Sequence, residues 1–92
     1  MTKNNIKKVH FIGIGGIGMS SLAFFLRGKG IDVSGSDIGT EQIIKKLKKN
    51  GCKIANTHKG ANINNHDLVI YSSAIKKNNP EIIEAKKKNI KI

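Results

Sequence analysis

The sequence has one cysteine, Cys52, so no internal disulfide can form. One cysteine and three dispersed histidines also fall short of the closed tetrahedral set of a structural zinc site, and no metal site is expected. Tryptophan is absent, and three Phe and one Tyr are the only aromatics, too few for a platform on which bases stack. Acidic residues are scarce, six against seventeen Lys and Arg, which leaves a formal charge of +11. Such a surface attracts polyanions at long range. The lysines, however, sit mostly in "IIKKLKKN" and "IIEAKKKN", stretches that also carry an apolar helical stripe, so they are read as a solvated helix face and no nucleic-acid partner is expected. No apolar run approaches the roughly 20 residues that span a bilayer, and no basic start leads into an apolar segment with a cleavage site. No membrane partner is expected, and a reducing cytoplasm is the expected location. There is no G-x-x-x-x-G-K-[ST] loop for ATP and no G-x-S-x-G elbow. The chain shows binding equipment without an evident catalytic base or nucleophile, and no catalytic residue is assigned.

What is present is periodic. At 92 residues the chain is one domain at most, and a domain of this size buries only about 60 to 65% of its unfolded surface. "KVHFIG" places Val9, Phe11 and Ile12 in a short β-prone run that stops at Gly13. "GMSSLAFFLRGKG" then sets Met19, Leu22, Ala23 and Leu26 at helical spacing, with Gly28 and Gly30 as a stop. "IDVSGSD" reads as a second strand. From Thr40 as N-cap, "EQIIKKLKKNG" puts Ile43, Ile44 and Leu47 on one helical face. "CKIAN" is a weak third strand, "NTHKGANINNH" an Asn- and Gly-rich loop, and "DLVIYSS" a strand whose continuous apolar centre suggests cover on both faces. Pro80 fits the first turn of a helix "PEIIEAKKKN", and "IKI" starts a fifth strand. The order β-α-β-α-β-loop-β-α-β implies an α/β fold, a parallel sheet with helices on both faces joined by right-handed crossovers. Because the chain stops while a strand is being laid down, it is expected to be a fragment cut near a domain boundary.

Ligands of such sheets sit where the chain leaves the carboxyl ends of the strands. The first exit, "GIGGIGMS", spells G-x-G-x-x-G at Gly13, Gly15 and Gly18 with an extra glycine at Gly16. Gly13 and Gly15 permit a tight turn, Gly18 is expected to let the helix pack on the strand, and the amides at the helix start point at an anion. A diphosphate is the natural guest. The second exit, "SGSD", places Asp37 nineteen residues past Gly18, near the spacing of an acidic residue that accepts from ribose hydroxyls, although Asp37 could equally cap the next turn. The third exit carries His58, as readily a solvated loop residue as a ligand contact. The fourth offers the hydroxyls of Ser72 and Ser73, which could also cap a turn. His10 and His66 are read as structural or exposed, and Cys52 as a small buried residue.

"HFIGIGGIGMSSLA", "VSGSD" and "YSSAIKKNNPEI", in this order, resemble the amino-terminal domain of the Mur ligases from about Lys8 to Ile92, and more narrowly the member that joins L-alanine to UDP-N-acetylmuramate. The resemblance implies a Rossmann-like single domain over residues 1–92 that binds UDP-N-acetylmuramic acid. ATP, Mg2+ and L-alanine would be handled by further domains, with the reaction running through an acyl phosphate, and no cofactor would be bound by this domain. Position by position it implies that Gly15, Gly16, Ile17, Gly18 and Met19 cradle the diphosphate through their amides, with Ser20 adding a hydroxyl. Ser36 and Asp37 would face the uridine, His58 would lie on the uracil side, and Ser72, Ser73 and Ala74 would line the sugar-diphosphate region. Thr57 departs from the family, which often has glycine before the histidine. Other readings remain: the NAD domain of an oxidoreductase, whose diphosphate and ribose present the same local chemistry, a redox- or nucleotide-sensing module, and the related ligase that attaches a preformed peptide to the same UDP-sugar. A Gly16→Val change is expected to weaken UDP-sugar binding while sparing the fold.

Overall fold

A computed structural model describes residues 6–39 and 41–92. The elements are β1 (Lys8–Ile12), α1 (Ile17–Gly28), β2 (Asp32–Ser36), α2 (Glu41–Lys49), β3 (Lys53–Ala55), a 3-10 turn over Gly60–Asn62, β4 (Leu68–Tyr71) and α3 (Pro80–Lys87). The four strands form one parallel sheet in the order β3-β2-β1-β4. The chain thus lays strands outward from β1 in one direction and then returns across the sheet to place β4 on the other side of β1. The reversal point lies between β1 and β4, the place where open α/β sheets hold ligands.

The side-chain period of two splits each strand between two environments. On one face Val9, Phe11 and Val33 are fully buried together with Ala23 of α1 and Leu47 of α2. On the other, Ile12 and Val69 are buried with Ile82 and Ala85 of α3 and with Ile63. Helices therefore cover both faces, as the alternating order implies. Asn79 caps α3, its side chain accepting from the Glu81 amide, and Pro80 occupies the first turn, where no amide partner is needed. The proposed Thr40 cap lies outside the described residues.

Two expectations differ. In α1 the inward residues are Ser20 and Ala23, flanked by half-buried Met19, Phe24 and Leu26, whereas Leu22 is 38% exposed. Two small residues let α1 approach the sheet closely, which turns the helix away from the Leu22 side. The expected fifth strand is a single parallel bridge between Leu68 and Lys91, closed by the Val69 amide donating to the Lys91 carbonyl at 2.9 Å. No helix is long and apolar enough to cross a membrane among the described residues.

Candidate functional site

The loop after β1 is folded by its own backbone. Gly13 has φ +80°, a left-handed conformation that favours glycine, and its amide and that of Ile14 both donate to the Ser36 carbonyl, at 2.8 and 3.1 Å. This stitches the loop to the end of β2 and drives Ile14, fully buried, over Gly35. A Cβ on Gly35 would lie 2.6 Å from Ile14 Cδ1, so the glycine of "SGSD" is there for the loop to dock.

The amides of the loop divide into spent and unspent. Gly15 N–H donates to Asp37 Oδ2 at 2.7 Å, and Gly16 N–H donates to the Gly13 carbonyl at 3.1 Å. The first helical hydrogen bond is Ser20 N–H to the Gly16 carbonyl at 2.8 Å. The amides of Ile17, Gly18 and Met19 consequently have no partner among the described residues, no side chain caps Gly16, and no acidic residue stands in the first turn. Of the five residues expected to offer amides, these three have them free. Gly18 does not serve helix packing as expected. A Cβ there meets nothing within 4 Å, so no neighbouring element packs on this position. Ser20 is buried, its hydroxyl donating to the Ile17 carbonyl at 3.2 Å.

Asp37 bridges two backbone segments, accepting from Gly15 N–H on Oδ2 and from Gly39 N–H on Oδ1 at 2.9 Å. Each carboxylate oxygen retains a lone pair for a further donor. Beside it a cavity of about 720 Å3 opens between α2 and β3, with Ile38, Ile44 and Ile54 as apolar walls and Gln42 and Asn56 as polar ones. Across the switch point, Ile75 after β4 packs against the Gly13 turn, 3.3 Å from where a Cβ on Gly13 would stand. That contact brings the segment of Ser72, Ser73 and Ala74 to the glycine loop. Ser73 and Ala74 are exposed and Ser72 is half-buried.

Beneath this edge runs a chain of buried polar groups. Glu81 is fully buried, and its carboxylate receives four donors. Oε1 takes His10 Nε2–H at 2.6 Å and the Ser36 hydroxyl at 2.8 Å, while Oε2 takes Lys59 N–H at 3.0 Å and the Asn62 side-chain amide at 2.8 Å. His10 Nδ1 lies 2.8 Å from Ser34 Oγ, which lies 2.9 Å from His66 Nε2, and His66 Nδ1 accepts from Asn64 N–H at 3.1 Å. His58 Nδ1 lies 2.8 Å from Ser36 Oγ. One proton assignment satisfies every group: His66 Nε2–H donates to Ser34, Ser34 O–H to His10 Nδ1, His10 Nε2–H to Glu81, Ser36 O–H to Glu81, and His58 Nδ1–H to Ser36. Burial pushes the Glu81 carboxyl up, but the hydrogen bonds from His10, Asn62 and Ser36 outweigh it and hold the group below the usual carboxylate range. Burial first, and then the electrostatic influence of neighbouring His10 and Lys8, lowers His66 to about 4. Elsewhere, burial raises the Cys52 thiol against the opposing pull of Arg27.

Ser36 is fully buried with its hydroxyl shared between Glu81 and His58, so it meets the surface only through His58. The residues that sequence reasoning did not single out are Glu81 and Ser34. A register signal exists, since His10 and Ser34 are paired partners facing the same side of the sheet.

ATP and Mg2+, which the family resemblance implies, find no set of side chains to hold them among the described residues. The chain has no Walker sequence, and among the described residues no three His, Cys, Asp or Glu side chains cluster so as to hold a metal.

Known proteins carry the same architecture. The profile "Mur ligase family, catalytic domain" matches residues 8–92. UDP-N-acetylmuramate–L-alanine ligase of Clostridium beijerinckii is 54% identical over 88 residues, which cover 96% of this chain and 19% of that protein. Among solved structures, UDP-N-acetylmuramate–alanine ligase of Thermotoga maritima superposes with a TM-score of 0.88 at 41% identity, over 92% of this chain and 20% of that one. A murein peptide ligase of Psychrobacter arcticus gives 0.85 at 28% identity, over 92% and 18%. The chain spans about a fifth of the length of the relatives it matches. With the glycine loop, the "SGSD" strand end and the "YSSAI" strand end converging on one edge of the sheet, and with residues 8–92 matched by the family profile, the chain belongs to the Mur ligase family.

Proposed function

We propose that this chain is the UDP-N-acetylmuramate-binding part of an ATP-dependent, cytoplasmic ligase that adds L-alanine to that UDP-sugar in peptidoglycan precursor synthesis. The observation that carries the reading is the bare start of α1: the amides of Ile17, Gly18 and Met19 have no partner among the described residues, and they follow the carboxyl end of β1 at the switch point of the sheet. These amides and the positive end of the helix hold the diphosphate. Gly15 and Gly16 shape the turn that presents them. Asp37 accepts from the ribose hydroxyls on its remaining lone pairs, His58 meets the uracil, and Ser72, Ser73 and Ala74 line the sugar-diphosphate path. Activation of the muramoyl carboxylate as an acyl phosphate, with ATP and Mg2+, and attack by the L-alanine amine belong to the rest of the ligase, so the 92-residue chain alone forms no product.

Names and identities of the relatives favour the alanine ligase over the peptide-adding ligase and over an NAD-dependent oxidoreductase. Calorimetric titration of the chain with UDP-N-acetylmuramic acid and, separately, NADH tests the reading. Saturable binding of the UDP-sugar with a weaker response to NADH is expected. Tighter NADH binding with no response to the UDP-sugar overturns it.

A further inference from the structure

Glu81 is fully buried, yet its hydrogen bonds reach the surface through Ser36 and His58. Ser36 has one hydroxyl proton, and that proton goes to Glu81 Oε1 at 2.8 Å. The neighbouring His58 Nδ1, at 2.8 Å, then meets only lone pairs on Ser36 Oγ, and the Glu81 Oε2 carboxylate oxygen stands 3.6 Å from the same ring nitrogen. Both surroundings accept and neither donates. A neutral His58 therefore carries its proton on Nδ1, which leaves Nε2 with a lone pair and no partner among the described residues. The ring is 19% exposed. Glu81 also fixes the backbone beside it, because Lys59 N–H and the Asn62 amide, on either side of the turn that follows His58, both end on Oε2.

We propose that Glu81 is a positioning residue for nucleoside recognition: through Ser36 it fixes the tautomer of His58, so that Nε2 accepts a hydrogen bond from a donor on the bound nucleoside. This inference rests on the UDP-sugar reading. The donor is an N–H or O–H of the ligand, either the imide N3–H of a uracil or a ribose hydroxyl. A base that presents an unprotonated ring nitrogen at that position, as cytosine does, meets a lone pair with a lone pair.

The tautomer is read without any ligand by nitrogen-15 NMR of the histidine rings at pH 8. The Nδ1–H form is expected for His58 in the wild-type chain, and an Nε2–H form overturns the inference. Ser36→Ala removes the link to Glu81 without emptying the carboxylate of its other three donors. It is expected to fold, to populate both His58 tautomers and to weaken UDP binding about tenfold. Unchanged tautomer and affinity in Ser36→Ala overturn the inference. For the wild-type chain, N3-methyl-UDP, 2′-deoxy-UDP and 3′-deoxy-UDP are compared with UDP. Each comparison is repeated in Ser36→Ala: a loss of about tenfold with the first that shrinks in the variant assigns the base as donor, and with either of the others the ribose, whereas a ribose loss equal in both chains belongs to Asp37; no loss that shrinks overturns the inference. Failure of the wild-type chain to bind UDP-N-acetylmuramate overturns the functional reading together with this one. Binding with His58 in the Nε2–H form overturns this one alone.

Discussion

The two faces of the sheet are held in opposite ways. Toward α1 and α2 the strands present Val9, Phe11 and Val33, with Gly35 clearing the way for Ile14, and each connection from one strand to the next contains a helix that brings its own apolar stripe. Toward the other face β1 and β2 present His10, Ser34 and Ser36 beside Ile12, and the return from β3 to β4 carries no α-helix, only a 3-10 turn within a longer loop. That loop, with asparagines at 56, 62, 64 and 65, buries Ile63 but brings no helical apolar stripe, so the strands beneath it also carry hydrogen-bonding groups, and Glu81 of α3 gathers them. Apolar packing tolerates small readjustments. A buried network in which every proton has one place does not, and it can therefore transmit a defined orientation to His58 at the edge.

The comparison is broken most strongly by Glu81→Leu. It puts an apolar side chain of roughly similar size in place of the carboxylate and leaves His10 Nε2–H, Ser36 O–H, Lys59 N–H and the Asn62 amide without an acceptor, and a loss of about 3 kcal/mol or more is expected in urea unfolding. On the apolar face the corresponding change is Gly35→Ala. Its methyl meets Ile14 Cδ1 at 2.6 Å and Cβ at 2.7 Å, so the glycine loop must shift, with an expected loss of about 1–3 kcal/mol and weaker UDP-sugar binding. Acid then separates the faces. His66 titrates at about 4 in the fold and near 6.5 when unfolded, so below pH 6.5 the unfolded chain takes up a proton the folded one refuses. Stability should fall between pH 6.5 and 4 on that account. Below about 4.5 it should fall further as Glu81, whose folded carboxyl is held low, is protonated. Urea midpoints across this range should show the slope in the wild-type chain and a flatter one between 6.5 and 4 in His66→Gln; equal slopes would detach His66 from the acid sensitivity.

The apolar face was legible in the sequence because burial there leaves a periodic record: Val9 and Phe11, Leu47, and the stop at Gly13 lie where spacing and glycine placed them. The phase of α1 was not, since Ser20 faces inward and a polar residue leaves no hydrophobic mark. The network on the other face was illegible for the same reason. His10 in a strand reads as structural or exposed, and Glu81 follows a proline at a helix start, where an acidic residue is explained by the helix dipole alone. Nothing local ties it to Ser36 or His58, forty-five and twenty-three residues earlier. At the glycine loop the pattern points to an anion but cannot tell spent amides from unspent ones. That distinction depends on Asp37 reaching back to Gly15, a contact across twenty-two residues.

The smallest expected effect falls where the two faces meet, at the start of α1. A methyl at Gly16 would approach Met19 Cγ at 3.3 Å and the Gly13 carbonyl at 3.4 Å, so Gly16→Val disturbs the turn as well as any ligand. Gly18 is the cleaner probe. Its Cβ would meet nothing within 4 Å, and alanine is the better helix former, so Gly18→Ala should raise stability by up to about 1 kcal/mol. The same methyl adds bulk within the first turn that carries the Ile17, Gly18 and Met19 amides, and UDP-sugar affinity should drop while the urea midpoint rises. Opposite signs in one variant are not produced by general damage to the fold. A Gly18→Ala chain that gains stability and keeps full affinity would move the diphosphate away from these three amides.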